Sequence, residues 1–139
     1  MPKCRVFAID DNLKEVVADG LYGKHMFGAT VSVAIVKFVE AKGRDLPAKS
    51  HAHGEEASLQ LVGACSVFES ADSEETDFES RMEAGTALII PPGTMHYGTN
   101  RFASEGVSMR LNVVTPARKE YGPEDSKMYY PLKDRPAAS

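Results

Sequence analysis

The 139-residue sequence predicts a single all-β domain, an antiparallel sandwich or barrel. Three observations point there. Short β-branched and apolar runs recur between clusters of Gly, Pro, Asp and Asn. Almost no stretch sustains a helical period. Pro116, Pro123, Pro131 and Pro136 exclude a long helix from the C-terminal part. The length suits one domain with a substantial core, and neither an internal repeat nor a second domain is visible.

The elements follow in chain order. Residues 4–9 alternate well enough for a first strand, ended by Asp10-Asp11-Asn12. Leu13, Val16 and Val17 have helical spacing, but Gly20, Gly23 and Gly28 interrupt it, so a short turn and an irregular strand are expected. Thr30 to Val39 reads as a strand covered on both faces, and Gly43 to Pro47 as a turn. Ala57 to Phe68 reads as two strands hinged at Gly63. Glu69 to Ser80, with six carboxylates among small polar residues, is expected to be a solvated hairpin tip. It lacks the ligand pattern and central glycine of an EF-hand calcium loop. Gly85 to Ile90 is a strand that enters the turn Pro91-Pro92-Gly93 and then a strand at His96. Val107 to Val114 closes the series, with Val107, Met109, Leu111 and Val113 on one face. A short turn or helix is expected near Lys119–Tyr121, with disorder beyond about Leu132.

Composition removes several classes of function. The formal charge is −4 and no Lys/Arg block occurs, which argues against nucleic acid as a partner. No apolar run approaches the roughly 20 residues of a membrane-spanning helix. The N-terminus has no signal-peptide core, so a cytoplasmic location is expected. Cys4 and Cys65 form no framework and are expected to be free thiols, Cys65 serving as a small core hydrophobe.

The chemistry concentrates in His51-Ala52-His53-Gly54-Glu55-Glu56 and in His96. Two histidines at i and i+2 on a strand share a face. A carboxylate beyond the next bend and an imidazole from a neighbouring strand can converge on the same point. Three neutral imidazoles and one carboxylate suit a divalent first-row transition metal. Such a set leaves one or two coordination positions open on a six-coordinate ion. Gly93 permits the turn before His96, and Pro91 fixes its entry. His25 stands apart and reads as a surface or pocket-rim residue. Tyr97 points away from His96 on a regular strand and reads as packing.

These residues resemble the cupin superfamily, small β-barrels of jelly-roll topology. Its second motif, G-x5-P-x-G-x2-H-x3-N, is matched by Gly85, Pro91, Gly93, His96 and Asn100. The first, G-x5-H-x-H-x3,4-E-x6-G, is matched by His51, His53, Glu56 and Gly63, with only two residues between His53 and Glu56 and with Gly43 two residues too far upstream. Glu56 keeps the family's distance to Gly63, whereas Glu55 shares strand parity with His51 and His53. The spacing favours Glu56, because a turn at Gly54 can reset parity. The resemblance spans about residues 30–118 and implies one metal ion (Fe, Mn, Zn or Ni) held by His51, His53, Glu56 and His96.

Within Leu111 to Tyr121 the chain also resembles single-domain cupins that ketonise unsaturated uronates. The resemblance makes Arg118 the group that holds a substrate carboxylate, a task suited to a guanidinium fork. Asn112 and Val114 stand where that group has an acid and an aromatic, and an amide is no general base. Arg110 reads as a surface residue.

The expected function is a metal-dependent enzyme acting on a small carboxylate-bearing substrate by isomerisation, ketonisation or decarboxylation. The alternatives are an Fe(II)-dependent dioxygenase at the same site and a non-enzymatic binding or sensor protein. A homodimer formed through residues 4–9 is expected.

Overall fold

The computed structural model describes residues 3–17, 20–39, 52–69, 78–101, 106–119 and 122–124. Among these the chain is all-β, with nine strands and no α-helix. They are β1 (Lys14–Val17), β2 (Leu21–Phe27), β3 (Ser32–Val39), β4 (Glu55–Val62), β5 (Ala64–Glu69), β6 (Phe78–Glu83), β7 (Ala87–Ile90), β8 (His96–Arg101) and β9 (Val107–Thr115). A six-stranded sheet runs β1-β2-β3-β9-β4-β7, and a three-stranded sheet runs β6-β5-β8. All pairings are antiparallel. The two sheets face one another as a sandwich.

Sheet register places every inner-facing side chain. On β9, Ser108, Arg110, Asn112 and Val114 face inward, opposite Gln60, Ser58 and Glu56 of β4 and Phe38, Val36, Ala34 and Ser32 of β3. Two apolar clusters close the sandwich. One joins Cys65, Val67, Met82 and Ile90, with Leu88 packed against it. The other joins Leu21, Val36 and Phe38, with Val16 against it. Each fully buried aliphatic of this size contributes about 1.5–3 kcal/mol. Between the clusters the interior is polar. Ser58 Oγ donates to Asn112 Oδ1 at 3.0 Å, and Gln60 Nε2 donates to Ser108 Oγ at 2.9 Å. These contacts satisfy groups that would otherwise be costly to bury.

Several expectations need correction. Residues 4–9 form no strand; alternation alone supplied no partner edge. Instead the segment lies along the outer side of β2 and β3. Lys24 Nζ donates to the carbonyls of Ala8 and Asp11, both at 2.6 Å, and Lys37 pairs with Asp10 at 3.0 Å. The stretch read as irregular contains β1 and a regular seven-residue β2, because Gly23 fits an inner position where a Cβ would stand 2.9 Å from the Ile35 carbonyl oxygen. His25 is buried on the inner face, paired with Ala34, and is no rim residue. Arg110 is likewise buried rather than on the surface.

Other expectations agree. β3 is covered on both faces, with Ile35 and Val36 both buried, and Gly63 separates β4 from β5. Cys65 is a buried free thiol, and Cys4 is exposed and free. Tyr97 stacks on Phe68, centroids 5.2 Å apart, on the face away from His96. Lys119 lies in a tight turn, its N–H donating to the Ala117 carbonyl. The solvated tip expected over Glu69–Ser80 is shorter than that, since Glu69 ends β5 and Phe78–Ser80 open β6; its middle, 70–77, the Gly43–Pro47 turn and the stretch beyond Leu132 lie outside the described residues. Among the described residues no helix is long and apolar enough to cross a membrane.

Candidate metal centre

Two turns and one strand start build the site. His53 precedes β4, and the chain bends at Gly54. His53 and Glu56 are three residues apart and would point to opposite faces of an unbroken strand. The bend removes that opposition. Gly54 is required there, since a Cβ would stand 2.0 Å from the Thr115 carbonyl oxygen and 2.7 Å from Pro116 Cδ. The second turn, Pro91 to Gly93, delivers His96. Gly93 has φ +76° and its N–H donates to the His53 carbonyl at 2.9 Å, so the two histidine-bearing segments are tied together.

The three side chains meet in the interior. Nε2 of His53 lies 3.6 Å and Nε2 of His96 lies 3.5 Å from Glu56 Oε2. The two rings meet edge to face, centroids 4.8 Å apart. Each Nδ1 faces a backbone carbonyl, His53 that of Gly54 at 2.7 Å and His96 that of Thr94 at 2.8 Å. With the proton on each Nδ1, the form a bound cation requires, those N–H groups would donate to the carbonyls and both Nε2 lone pairs would be free for the ion. Bond lengths of about 2.0–2.2 Å put two donors on one ion roughly 3.0–3.4 Å apart. The observed spacings are close to that, and all three donor atoms lie within 4.8 Å of one another.

The electrostatics favour the protonation states that a cation requires. Burial pushes His53 below its ordinary value, opposed by its hydrogen bond to the Gly54 carbonyl and assisted by the charge of Arg118. Burial alone would raise Glu56. The hydrogen bond from His96 and the charge of Arg110, with smaller contributions from the two histidines, reverse this and hold the carboxyl below its usual range. The His53 ring is thus favoured neutral and the Glu56 carboxylate ionised near neutrality.

Of the residues singled out from sequence, the structure brings together His53, Glu56 and His96. His51 lies outside the described residues. Between the adjacent carboxylates, Glu56 faces inward and is 5% exposed, while Glu55 is exposed and pairs with Thr115 at the sheet surface. Arg118 is half-buried; its backbone N–H donates to Ser32 Oγ at 2.9 Å, and its charge reaches His53. Sequence reasoning missed Arg110 and His25. Parity was the available signal for Arg110, which shares a strand face with Asn112.

No protein-family model and no curated protein matches the sequence. Comparison with solved structures is decisive for the fold: this is the cupin, or double-stranded β-helix, architecture. An RmlC-like cupin from Shewanella frigidimarina superposes with a TM-score of 0.62 at 17% identity, over 84% of this chain and 93% of that one. A conserved double-stranded β-helix protein from Klebsiella pneumoniae gives 0.61 at 16% identity, over 82% and 91%. KdgF from a Halomonas species gives 0.57 at 20% identity, over 76% and 86%.

Proposed function

We propose that the chain is a metal-dependent enzyme acting on a small, polar, carboxylate-bearing substrate by isomerisation, ketonisation or decarboxylation. The observation that carries this reading is the convergence of His53, Glu56 and His96, with the charge of Arg118 reaching His53. The donor set fits a divalent ion, and such an ion would act as a Lewis acid on a substrate carbonyl or enol oxygen. Arg118 would orient the acid end through a bidentate contact. Burial of the cluster excludes water and strengthens both interactions. Asn112, on the inner face and hydrogen-bonded to Ser58, orients substrate but moves no proton. The likeness of the Leu111–Tyr121 stretch to uronate-ketonising cupins and the fold shared with KdgF support the same substrate class.

A second reading rests on the described donors being two histidines and one carboxylate. That set also serves non-haem Fe(II) oxygenases. Elemental analysis of protein purified without chelator, followed by substrate screens, separates them. Iron with substrate-dependent oxygen uptake supports the oxygenase. Zinc, nickel or manganese with turnover of sugar acids or keto acids supports the Lewis-acid enzyme. A ligand recovered unchanged supports a binding protein and defeats both.

A further inference from the structure

The end of the sandwich that holds the cluster has a second wall, which the proposed reaction does not use. On the small sheet Glu69 pairs with His96 on one side and with Phe78 on the other. Cys65 and Val67 of the same strand face the core, so Glu69, two residues on, shares their inner face with His96. Phe78, Glu69 and His96 thus form one row across β6, β5 and β8, with neighbouring Cβ atoms about 5 Å apart. Glu69 is half-buried. Among the described residues its carboxylate takes no hydrogen bond and enters no ion pair, whereas Glu56, Glu79 and Glu124 all have partners. A partly desolvated carboxylate of this kind is ready for a donor from outside the protein.

Phe78 adds an aromatic face. It is 70% exposed, although it shares a strand face with the buried Met82. A ring beside a carboxylate suits an ammonium group: the carboxylate supplies charge and acceptors, and the ring supplies its negative π face. The sequence carries the same sign further. The eight residues between Glu69 and Phe78 include Asp72, Glu74, Glu75 and Asp77 and neither Lys nor Arg, a composition that draws cations towards this rim. The opposite wall has the opposite sign, with the charge of Arg118 reaching His53 and that of Arg110 reaching Glu56.

We infer that Glu69 and Phe78 form a cation-binding rim, taking the ammonium group of an amino acid whose carboxylate is held on the opposite, cationic side of the cluster. This rests on the proposed metal-dependent function and narrows its substrate from a carboxylate-bearing molecule to a zwitterion. No long reach is required, since Glu69 is the immediate cross-strand neighbour of His96. A hydroxyl in the same place would give Glu69 a hydrogen bond but leave its charge unmatched. A second carboxylate there would be repelled, so the rim selects against diacids as well as for amines.

The test is calorimetric titration of the metal-loaded protein with β-alanine and with 3-hydroxypropionate, which share a carboxylate and differ as ammonium and hydroxyl. An α-amino acid is avoided, because its nitrogen and oxygen chelate a metal together. Metal content is measured before and after, and circular dichroism reports folding. β-Alanine is expected to bind about fivefold more tightly than the hydroxy acid. Glu69→Gln should remove that preference, lowering β-alanine affinity about fivefold and leaving 3-hydroxypropionate unchanged. Phe78→Ala, at an exposed position, should cost β-alanine about twofold and spare the hydroxy acid. No preference in the parent overturns the rim. So does a preference that survives Glu69→Gln, and so does an equal loss of both ligands, which would make Glu69 a support of the metal centre. Retained metal in the parent leaves the metal centre standing in each of these cases. A parent that takes up no metal removes the metal-dependent reading instead, and the same comparison on metal-free protein then upholds or overturns the rim by itself.

Discussion

The two faces of β9 differ sharply in chemistry. Val107, Met109, Leu111 and Val113 share the outer face, and Ser108, Arg110, Asn112 and Val114 share the inner one. The apolar file lies on the outside of the large sheet, next to Leu59 and Ile89, which are 42% and 61% exposed. The polar file is buried and faces the second sheet. In a sandwich that only packs, the assignment would be reversed. A buried row of Glu, Ser, Gln, Arg and Asn is retained at a cost in desolvation, which fits the binding role proposed for the interior.

The contrast can be broken most severely from inside. Arg110→Met removes the cation that helps hold Glu56 ionised. Taking one partner from a buried ion pair costs at most about 3–5 kcal/mol, an upper limit for a charge that acts on Glu56 electrostatically. Chemical denaturation of metal-free protein should show a loss up to that limit. Added metal should restore part of it by replacing the missing positive charge. Equal loss with and without metal would detach Arg110 from the cluster.

Next in size is Gly54→Ala. The new Cβ would overlap the Thr115 carbonyl, and the strand start must shift. Overpacking of this kind costs roughly 1–3 kcal/mol. Metal affinity should fall together with stability, because His53 moves with the bend; unchanged affinity would show that the bend does not position the ring.

A gentler probe is pH. His53 titrates below its usual 6.5 in the folded chain, so the unfolded chain takes up its proton first as pH falls. Its contribution to stability is present above 6.5 and is lost as pH drops through the folded value. Glu56, also lowered, acts in the same direction below its usual 4.5. Metal retention should accordingly persist below pH 6.5 and then fail. Release already complete at pH 6.5 would contradict the lowered His53. Smallest of all should be Ile89→Ser on the exposed outer face, within about 0.5 kcal/mol by thermal unfolding.

These faces also explain what could be read from sequence. The His53, Glu56 and His96 set was legible because turn glycines and ligand types carry their chemistry at fixed spacing. Gly63 and the β3 strand were legible from turn residues and β-branched runs. Arg110 and His25 were not, because alternation says which residues share a face but not which face is inside. Apolar residues were assigned to the core by default, and a polar interior inverts that rule. Residues 4–9 alternate like a strand, yet strand formation needs a free edge, and Lys24 and Lys37 instead hold the segment through its carbonyls and Asp10.

The most direct test of the central claim is metal stoichiometry, measured by elemental analysis on the parent chain and on Glu56→Gln and His96→Ala. About one transition-metal ion per chain in the parent, lost in both folded variants, is the predicted result. A parent that neither carries nor takes up metal on reconstitution, or variants that keep it, would contradict the assignment of His53, Glu56 and His96 as a metal centre.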